Sequence, residues 1–150
     1  MGTCEDESDL GGTPLIYNNY NYGIVRGTTN EYIGAVVGRN VKDKSTVQYN
    51  YYLQNCAKGK DGKVRNALGT ETGSVAFADK EGKNYYASYF TSLESTMTEY
   101  AGTYATLDLI TALNQWITDN SEVAYVNAWV SNGPNGYPIP EGTVIPELRK

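Results

Sequence analysis

The period of the apolar residues changes once along this chain, and that change limits the folds it can adopt. Between Met97 and Ile117, apolar side chains recur every three or four residues, which predicts an amphipathic helix at about 96–118. Elsewhere, short apolar runs alternate with polar residues and are bounded by Gly, Asn and Asp, as in strands and turns. The sequence therefore predicts an α+β fold, in which antiparallel β-hairpins accompany one main helix.

The clearest predicted strand covers residues 47–54, in which apolar and polar side chains alternate. Val47 and Tyr51 belong to the apolar face, whereas Tyr52 belongs to the polar face. One face of such a strand packs on the core and the other stays in contact with solvent. Tyr52 is therefore expected to lie on a contact surface.

Turn-forming residues predict two β-hairpins, one around residues 58–63, which include an Asp-Gly pair, and one around residues 80–83. Beyond the helix, residues 122–130 are apolar on both faces of a strand. Because strands in the middle of a sheet are buried on both faces, this segment is predicted to be a central strand.

Composition divides the chain into three parts. Residues 1–13 are acidic and rich in glycine, which predicts a flexible tail. Residues 14–131 are expected to form a single α+β domain. Residues 132–150 are rich in Pro and Gly and predict an extended arm. No internal repeat of twenty to fifty residues is apparent in the sequence.

The absence of histidine limits the chemistry that this chain can perform. Histidine is the commonest general base and transition-metal ligand, and two cysteines cannot complete a four-ligand zinc site. No apolar run reaches the ~18 residues that a membrane-spanning helix needs. The sequence thus predicts no catalytic residue, no metal site, no cofactor and no membrane span, and the chain is not expected to be an enzyme.

Paired carboxylates are the one catalytic arrangement that this composition leaves open. Glu94 could act with Glu99, or Glu71 with Glu81, because two carboxyl groups that flank a glycosidic bond can hydrolyse it. Each of these acids is also compatible with a solvated surface position. A carboxylate-dependent hydrolase is therefore an alternative hypothesis.

Charge is distributed unevenly along the chain. The net charge of -5 does not favour a nucleic-acid partner, which would need a basic surface. Lys58, Lys60, Lys63 and Arg65 form a basic cluster, whereas residues 84–148 contain acids but neither Lys nor Arg. Two surfaces of opposite charge favour contacts between neighbouring copies. The basic cluster is therefore a predicted interaction site in a homo-oligomer.

The 14 tyrosines are the second predicted source of contacts. Tyrosine combines a large contact area with a polar tip and is common at interfaces. Because phenylalanine is scarce, we expect about half of the tyrosines to lie in the core. The candidates for the contact surface are Tyr20, Tyr22, Tyr52 and Tyr137.

Two cysteines, Cys4 and Cys56, leave three alternatives open. They could form a disulfide, which would close a long loop and stabilise the fold. They could instead be free thiols, or Cys4 could be a site of lipid attachment.

These observations favour a non-enzymatic structural subunit, such as a component of a virion, a phage or a surface filament. Its expected partners are copies of itself or other structural proteins, and its expected location is extracellular or within a virion. The alternative from another class is a module that binds a glycan or a small ligand through Tyr and Asn side chains. The absence of Asn-X-Ser/Thr sites gives no support to a glycosylated secreted protein.

Overall fold

The structure is a computed structural model, and it describes residues 3–4, 15–40, 46–75, 78–80, 83–85, 87–96, 104, 106–122, 126–132 and 136–143. These residues contain sixteen short strands and one helix, so the fold is α+β with β-hairpins, as predicted. The helix, α1, spans Leu109–Asp119. The strands are β1 (Thr3–Cys4), β2 (Leu15–Tyr17), β3 (Tyr20–Asn21), β4 (Val25–Arg26), β5 (Arg39–Asn40), β6 (Thr46–Gln48), β7 (Asn50–Leu53), β8 (Ala57–Lys58), β9 (Val64–Arg65), β10 (Leu68–Thr70), β11 (Gly73–Val75), β12 (Ala78–Lys80), β13 (Lys83–Tyr85), β14 (Ala87–Phe90), β15 (Trp129–Asn132) and β16 (Tyr137–Pro140).

Two successive coils of chain are stacked in parallel. We call residues 15–40 the first coil and residues 46–75 the second coil. β2 runs parallel to β6, with Leu15 opposite Thr46, so equivalent positions are 31 residues apart. β3 and β7 keep the same spacing, and β4 and β8 continue the parallel pairing. The expectation of antiparallel pairing is therefore wrong for these strands.

The same 31-residue spacing holds later in each coil, where Val37 of the first coil forms a parallel bridge with Leu68 of the second coil. The structure thus shows a 31-residue spacing of backbone pairing that no sequence repeat announced. Backbone geometry repeats here, whereas side chains recur at only a few positions, such as the Asn-Tyr pairs at residues 19–20 and 50–51. Stacked coils of this kind bury their apolar side chains between neighbouring repeats.

Both coils bend at equivalent positions. Asn18 and Tyr49 each have a φ of 53°, in the left-handed region that few residues other than glycine adopt. The bend at Tyr49 divides the predicted strand at 47–54 into β6 and β7. A tyrosine keeps this conformation only where the surrounding contacts hold it.

The central parallel sheet has the order β14-β7-β3 and is covered on both faces. Tyr52 packs inside the coils, in a cluster built mainly from small side chains. Tyr51 faces the opposite way, into a cluster with Leu113 and Trp116 of α1. The predicted contact role of Tyr52 is therefore wrong: it is 3% exposed, because parallel sheets are buried on both faces.

The helix begins later than predicted. Asp108 is its N-cap, and the Asp108 side chain accepts a hydrogen bond from the backbone N–H of Thr111. The two preceding residues, Thr106 and Leu107, are not helical, and residues 97–103 of the predicted helix lie outside the described part of the chain. The buried face of α1 carries Leu109, Ala112, Leu113 and Trp116, which belong to the predicted apolar stripe or border it.

The segment after the helix is a hairpin, which corrects two predictions. β15 pairs with β16 alone among the described residues, so Trp129 and Val130 do not belong to a central strand, and residues 123–125 of the prediction lie outside the described part. Val126 and Val130 are exposed, and Trp129 packs toward the helix. Residues 137–140 of the predicted extended arm form β16, and Pro138 is buried. A hairpin strand tolerates proline where the ladder requires no N–H donor.

Both turns predicted around residues 58–63 and 80–83 form hairpins, but residues 47–53 and 87–90, which were expected as hairpin arms, pair in parallel instead. Lys58 lies opposite Val64 between β8 and β9, and Lys80 lies opposite Lys83 between β12 and β13. β10 and β11 form a further hairpin that the sequence analysis did not predict.

At the amino-terminal end, β1 pairs in parallel with β5, and the other residues of the predicted tail lie outside the described part. Cys56 is a free, buried thiol, so the structure does not contain the disulfide alternative. Burial raises the pKa of the Cys56 thiol. Within the described residues, no helix is long and apolar enough to cross a membrane.

Candidate functional site

One end of the parallel stack presents an open strand edge. β7 has β3 on one side and β14 on the other, whereas β2, β3 and β4 are each paired on one side only within the described residues. We call residues 15–26 the first-coil edge. Leu15, Tyr22 and Ile24 are 62%, 50% and 74% exposed along it, and residues 15–25 carry no charge. Proteins usually protect such edges with charges, prolines or a covering segment.

Along this edge, the backbone N–H and C=O groups of successive residues point alternately toward the second coil and away from it. The N–H of Tyr51 donates to the carbonyl of Asn19 (2.9 Å), and the N–H of Val25 donates to the carbonyl of Cys56 (2.9 Å). In a parallel ladder, alternate residues direct both backbone groups to the same neighbour. The N–H and C=O of Tyr20 therefore point away from the second coil, and no backbone group of the described residues bonds to them.

Two asparagines at equivalent positions, Asn19 and Asn50, hold the backbone of the edge through side-chain hydrogen bonds, and we call them the asparagine ladder. Asn50 is fully buried; its Oδ1 accepts from the backbone N–H of Asn19 (3.2 Å), and its Nδ2 donates to the carbonyls of Ile16 (2.7 Å) and Gln48 (2.9 Å). Asn19 repeats this conformation, since its Nδ2 donates to the carbonyl of Tyr17 (2.6 Å). Among the described residues, nothing donates to Asn19 Oδ1, so the asparagine ladder ends at the first-coil edge.

Three of the predicted contact tyrosines meet beside this edge. Tyr22 stacks on Tyr137 with ring centroids 4.1 Å apart, and Tyr20 stacks on Tyr22 at 5.8 Å. The Tyr20 hydroxyl donates to the carbonyl of Pro138, and the Tyr20 ring meets Trp129 edge-on at 5.6 Å. Burial raises the pKa of Tyr20 to about 12, and the neighbouring Tyr22 and Tyr137 add to the rise. This tyrosine stack joins the first coil to the C-terminal hairpin and leaves half of Tyr22 exposed.

The basic cluster is only partly a surface feature. Lys60 and Lys63 are exposed and Lys58 is half-buried, but Arg65 is 6% exposed. The Arg65 guanidinium donates to Asp61 Oδ1 (2.9 Å) and to the carbonyl of Lys63 (3.0 Å). Arg65 therefore closes the hairpin loop from inside, and its predicted role as a contact residue is wrong.

The contact between Arg65 and Asp61 also shifts the pKa of the Asp61 carboxyl. Desolvation would raise the pKa of Asp61, but hydrogen bonds from the Lys63 N–H and the Arg65 guanidinium hold it below its usual value. The three lysines have no ion-pair partner among the described residues, where Arg65–Asp61 is the only pair. They remain predicted interaction residues.

A cleft of about 350 Å³ lies between α1 and the C-terminal hairpin. The Asp108 carboxylate beside it is occupied as the helix cap, since it also accepts from the Thr111 hydroxyl at 2.8 Å. Glu94 lines the cleft, whereas its predicted partner Glu99 lies outside the described residues. Glu71 is exposed, and Glu81 also lies outside them. The cleft is lined by Leu93, Glu94, Asp108, Ile110, Ser131, Gly136 and Pro138.

The described residues contain no group of three or more acidic or cysteine side chains that could hold a metal ion. Comparisons with protein-family models, with curated proteins and with solved structures found no match.

The first-coil edge and the asparagine ladder were missed by the sequence analysis. The repeated Asn-Tyr pair at residues 19–20 and 50–51 is the signal that could have revealed them.

Proposed function

We propose that this chain is a non-enzymatic structural subunit, such as a component of a virion, a phage or a surface filament, that self-associates through the first-coil edge. The observation that carries the proposal is the uncharged strand edge, on which Leu15, Tyr22 and Ile24 are exposed. An open edge offers backbone hydrogen bonds, and exposed apolar side chains beside it add hydrophobic contact area.

The tyrosine stack supports this proposal because it extends the contact surface beside the edge. Tyr20 and Tyr137 are held by other residues, so they lose little conformational freedom on binding. Tyr22 remains half-exposed and offers a rigid aromatic surface to a partner. Lys60 and Lys63 are suited to a second contact, with acidic residues of a neighbouring chain.

The proposal predicts concentration-dependent association that depends on the edge. The double variant Leu15→Lys/Ile24→Lys adds charge at two exposed positions, so it should weaken association at least about tenfold without destabilising the monomer. Size-exclusion chromatography with light scattering, at low and high salt, measures the mass. Val126→Lys/Val130→Lys is the matched control, because it adds the same charge at exposed valines in the C-terminal region. A wild-type chain that stays monomeric at every concentration and salt contradicts the proposal.

A second candidate function is the binding of a glycan, and the cleft beside α1 favours it. Its volume falls within the range of ligand-binding sites, and apolar side chains share its lining with two carboxylates and a hydroxyl. Leu93 and Ile110 could contact a sugar ring, while Glu94 and Ser131 accept hydrogen bonds from its hydroxyls.

This second candidate is tested by NMR titration with glucose, galactose and N-acetylglucosamine. A millimolar sugar should shift the amide signals of Ser131 and Gly136, and Glu94→Gln should reduce the affinity. Glu141→Gln is the control, since this carboxylate lies outside the cleft lining. The absence of shifts with all three sugars rules out binding of these sugars in the cleft.

A further inference from the structure

We propose that Tyr22 and Tyr137 form a modification site, at which a one-electron oxidant joins the two rings by a carbon–carbon bond to give a dityrosine cross-link. This inference goes beyond the proposed function, because the cross-link forms within a single chain and needs no second copy. It fastens the first coil covalently to the C-terminal hairpin, across more than a hundred residues of sequence.

The first step concerns the distance between the two rings. Their centroids lie 4.1 Å apart, with an angle of 18° between the ring planes. Aromatic pairs in proteins usually keep their centroids about 4.5–7 Å apart. The other aromatic contacts found among the described residues span 5.6–6.4 Å. Nearly parallel rings at this shorter separation overlap face to face, so carbons of one ring lie within about 4 Å of carbons of the other.

The second step concerns the backbone that carries each ring. Asn21, which precedes Tyr22, donates from its Nδ2 to the carbonyl of Ala35 (2.8 Å). Its Oδ1 accepts from the N–H of Gly23, on the other side of Tyr22 (2.8 Å). Tyr137 belongs to β16, which is held by its ladder with β15. Reacting groups fixed beside each other behave as if present at very high concentration, so coupling within the chain is favoured over coupling between chains.

The third step concerns access and selectivity. Tyr22 is 50% exposed and Tyr137 is half-buried, so an oxidant can remove electrons from the pair at the protein surface. Tyr20 is a poorer partner for Tyr22, because their centroids are 5.8 Å apart. The Tyr20 ring also meets Trp129 edge-on, and its hydroxyl donates to the carbonyl of Pro138. The geometry therefore selects Tyr137 as the partner of Tyr22.

The reaction is a two-electron oxidation, and the oxidant it needs is of the class of a haem peroxidase with hydrogen peroxide. Each phenol gives up one electron and its hydroxyl proton and becomes a phenoxyl radical, which shares its unpaired electron with the ring carbons ortho to the oxygen. One ortho carbon of each ring then forms the new C–C bond. Each of these carbons loses its hydrogen as a proton, and each oxygen regains one, which restores both hydroxyls. Hydrogen peroxide takes up the two electrons and two protons and becomes two molecules of water.

The experiment treats the dilute protein with a haem peroxidase and limiting hydrogen peroxide. Intact mass spectrometry should show a single chain that has lost two hydrogen atoms. Trypsin should then release residues 1–26 joined to residues 84–149, because Tyr22 and Tyr137 lie in those two peptides. A covalent bond that closes so long a loop should also raise the thermal midpoint by about 10 °C, measured by circular dichroism.

Two variants locate the bond. Tyr22→Phe and Tyr137→Phe keep the stacked ring and remove only the hydroxyl, so both should fold, and each should lower the yield of the joined peptides at least about tenfold. Tyr32→Phe is the matched control, because Tyr32 is also partly exposed but its ring lies under the Arg39 guanidinium, 4.8 Å from the ring centroid. It should cross-link as the wild type does.

The remaining outcomes overturn the proposal. N-acetyltyrosine oxidised in a parallel reaction confirms that the oxidant is active. A wild-type protein that then keeps its mass, or that is joined only between chains, contradicts the cross-link. A cross-link that persists in Tyr22→Phe or in Tyr137→Phe contradicts the assigned pair. Because the readout is the mass of a single chain, neither failure bears on the proposed self-association, which is tested by light scattering.

Discussion

Replacing Leu113 with alanine should lower the free energy of unfolding by about 3 kcal/mol, as large-to-small substitutions in a well-packed core do. Leu113 is 0% exposed and packs with Tyr51, Phe90 and Trp116 in the cluster between α1 and the parallel sheet. The backbone of α1 is engaged there too, since Asn18 Nδ2 donates to the Leu113 carbonyl at 3.1 Å. Polar contacts of this kind limit how far the helix can shift to fill the cavity.

Urea denaturation followed by circular dichroism measures the effect. Ile110→Ala is the matched control, because Ile110 is half-buried on another side of the same helix. It should cost about 1 kcal/mol, in proportion to its smaller buried area. Equal losses for the two variants would contradict the assignment of Leu113 to the centre of this cluster.

The same cluster explains why the tyrosine stack has a defined geometry. Tyr20 and Trp129 pack against it from the first coil and from β15. Asn114, on α1, accepts from the backbone N–H of Trp129 (2.8 Å) and donates to its carbonyl (2.8 Å). The helix therefore positions the C-terminal hairpin, and the hairpin in turn positions Tyr137 against Tyr22. Loss of helix packing should therefore also loosen the tyrosine stack beside the first-coil edge.

Local features of this fold could be predicted from the sequence. The apolar stripe that ends at Ile117 predicted a helix, and the Asp-Gly pair at 61–62 predicted the turn between β8 and β9. Both signals act within a few residues of chain, so no knowledge of distant contacts was needed. The start of the helix was missed because the stripe continues before Asp108, whereas Thr106 and Leu107 are not helical.

The parallel stacking could not be predicted in the same way. Its strands are two to four residues long, too short for a clear period, and its register joins residues 31 positions apart. The cluster inside the coils is built mainly from small side chains, four of them alanines (Ala35, Ala57, Ala67 and Ala87), so hydropathy gives a weak signal. The close approach of the two coils, not a run of large apolar residues, defines this core.

The candidate site was predicted in part. Tyr20, Tyr22 and Tyr137 meet in one group, although more than a hundred residues separate Tyr22 from Tyr137. Tyr52 and Arg65 are buried instead. Alternation along a strand distinguishes its two faces, but it does not show that the second face is covered by another element.

Replacing Asn50 with alanine should destabilise the fold by about 3 kcal/mol, because it leaves several buried backbone groups without partners. The carbonyls of Ile16 and Gln48 lose their donor, and the Asn19 N–H loses its acceptor. Asn50 is 0% exposed, so water cannot easily replace these bonds. Denaturation by urea measures the loss of stability, and Asn66→Ala is the matched control at an exposed asparagine of the second coil.

The Asn50 variant also tests what orders the first-coil edge. Asn50 contacts both coils, but it is buried and is not one of the exposed edge residues through which association is proposed. At temperatures where the variant is still folded, amide hydrogen exchange should accelerate in the first coil more than in α1, since Ile16 and Asn19 belong to that coil. Self-association should weaken in parallel, because an edge strand that is less ordered must lose more conformational entropy when it pairs. Uniform acceleration across the chain would show that Asn50 contributes only global stability, and the ladder would then have no separate part in ordering the first-coil edge.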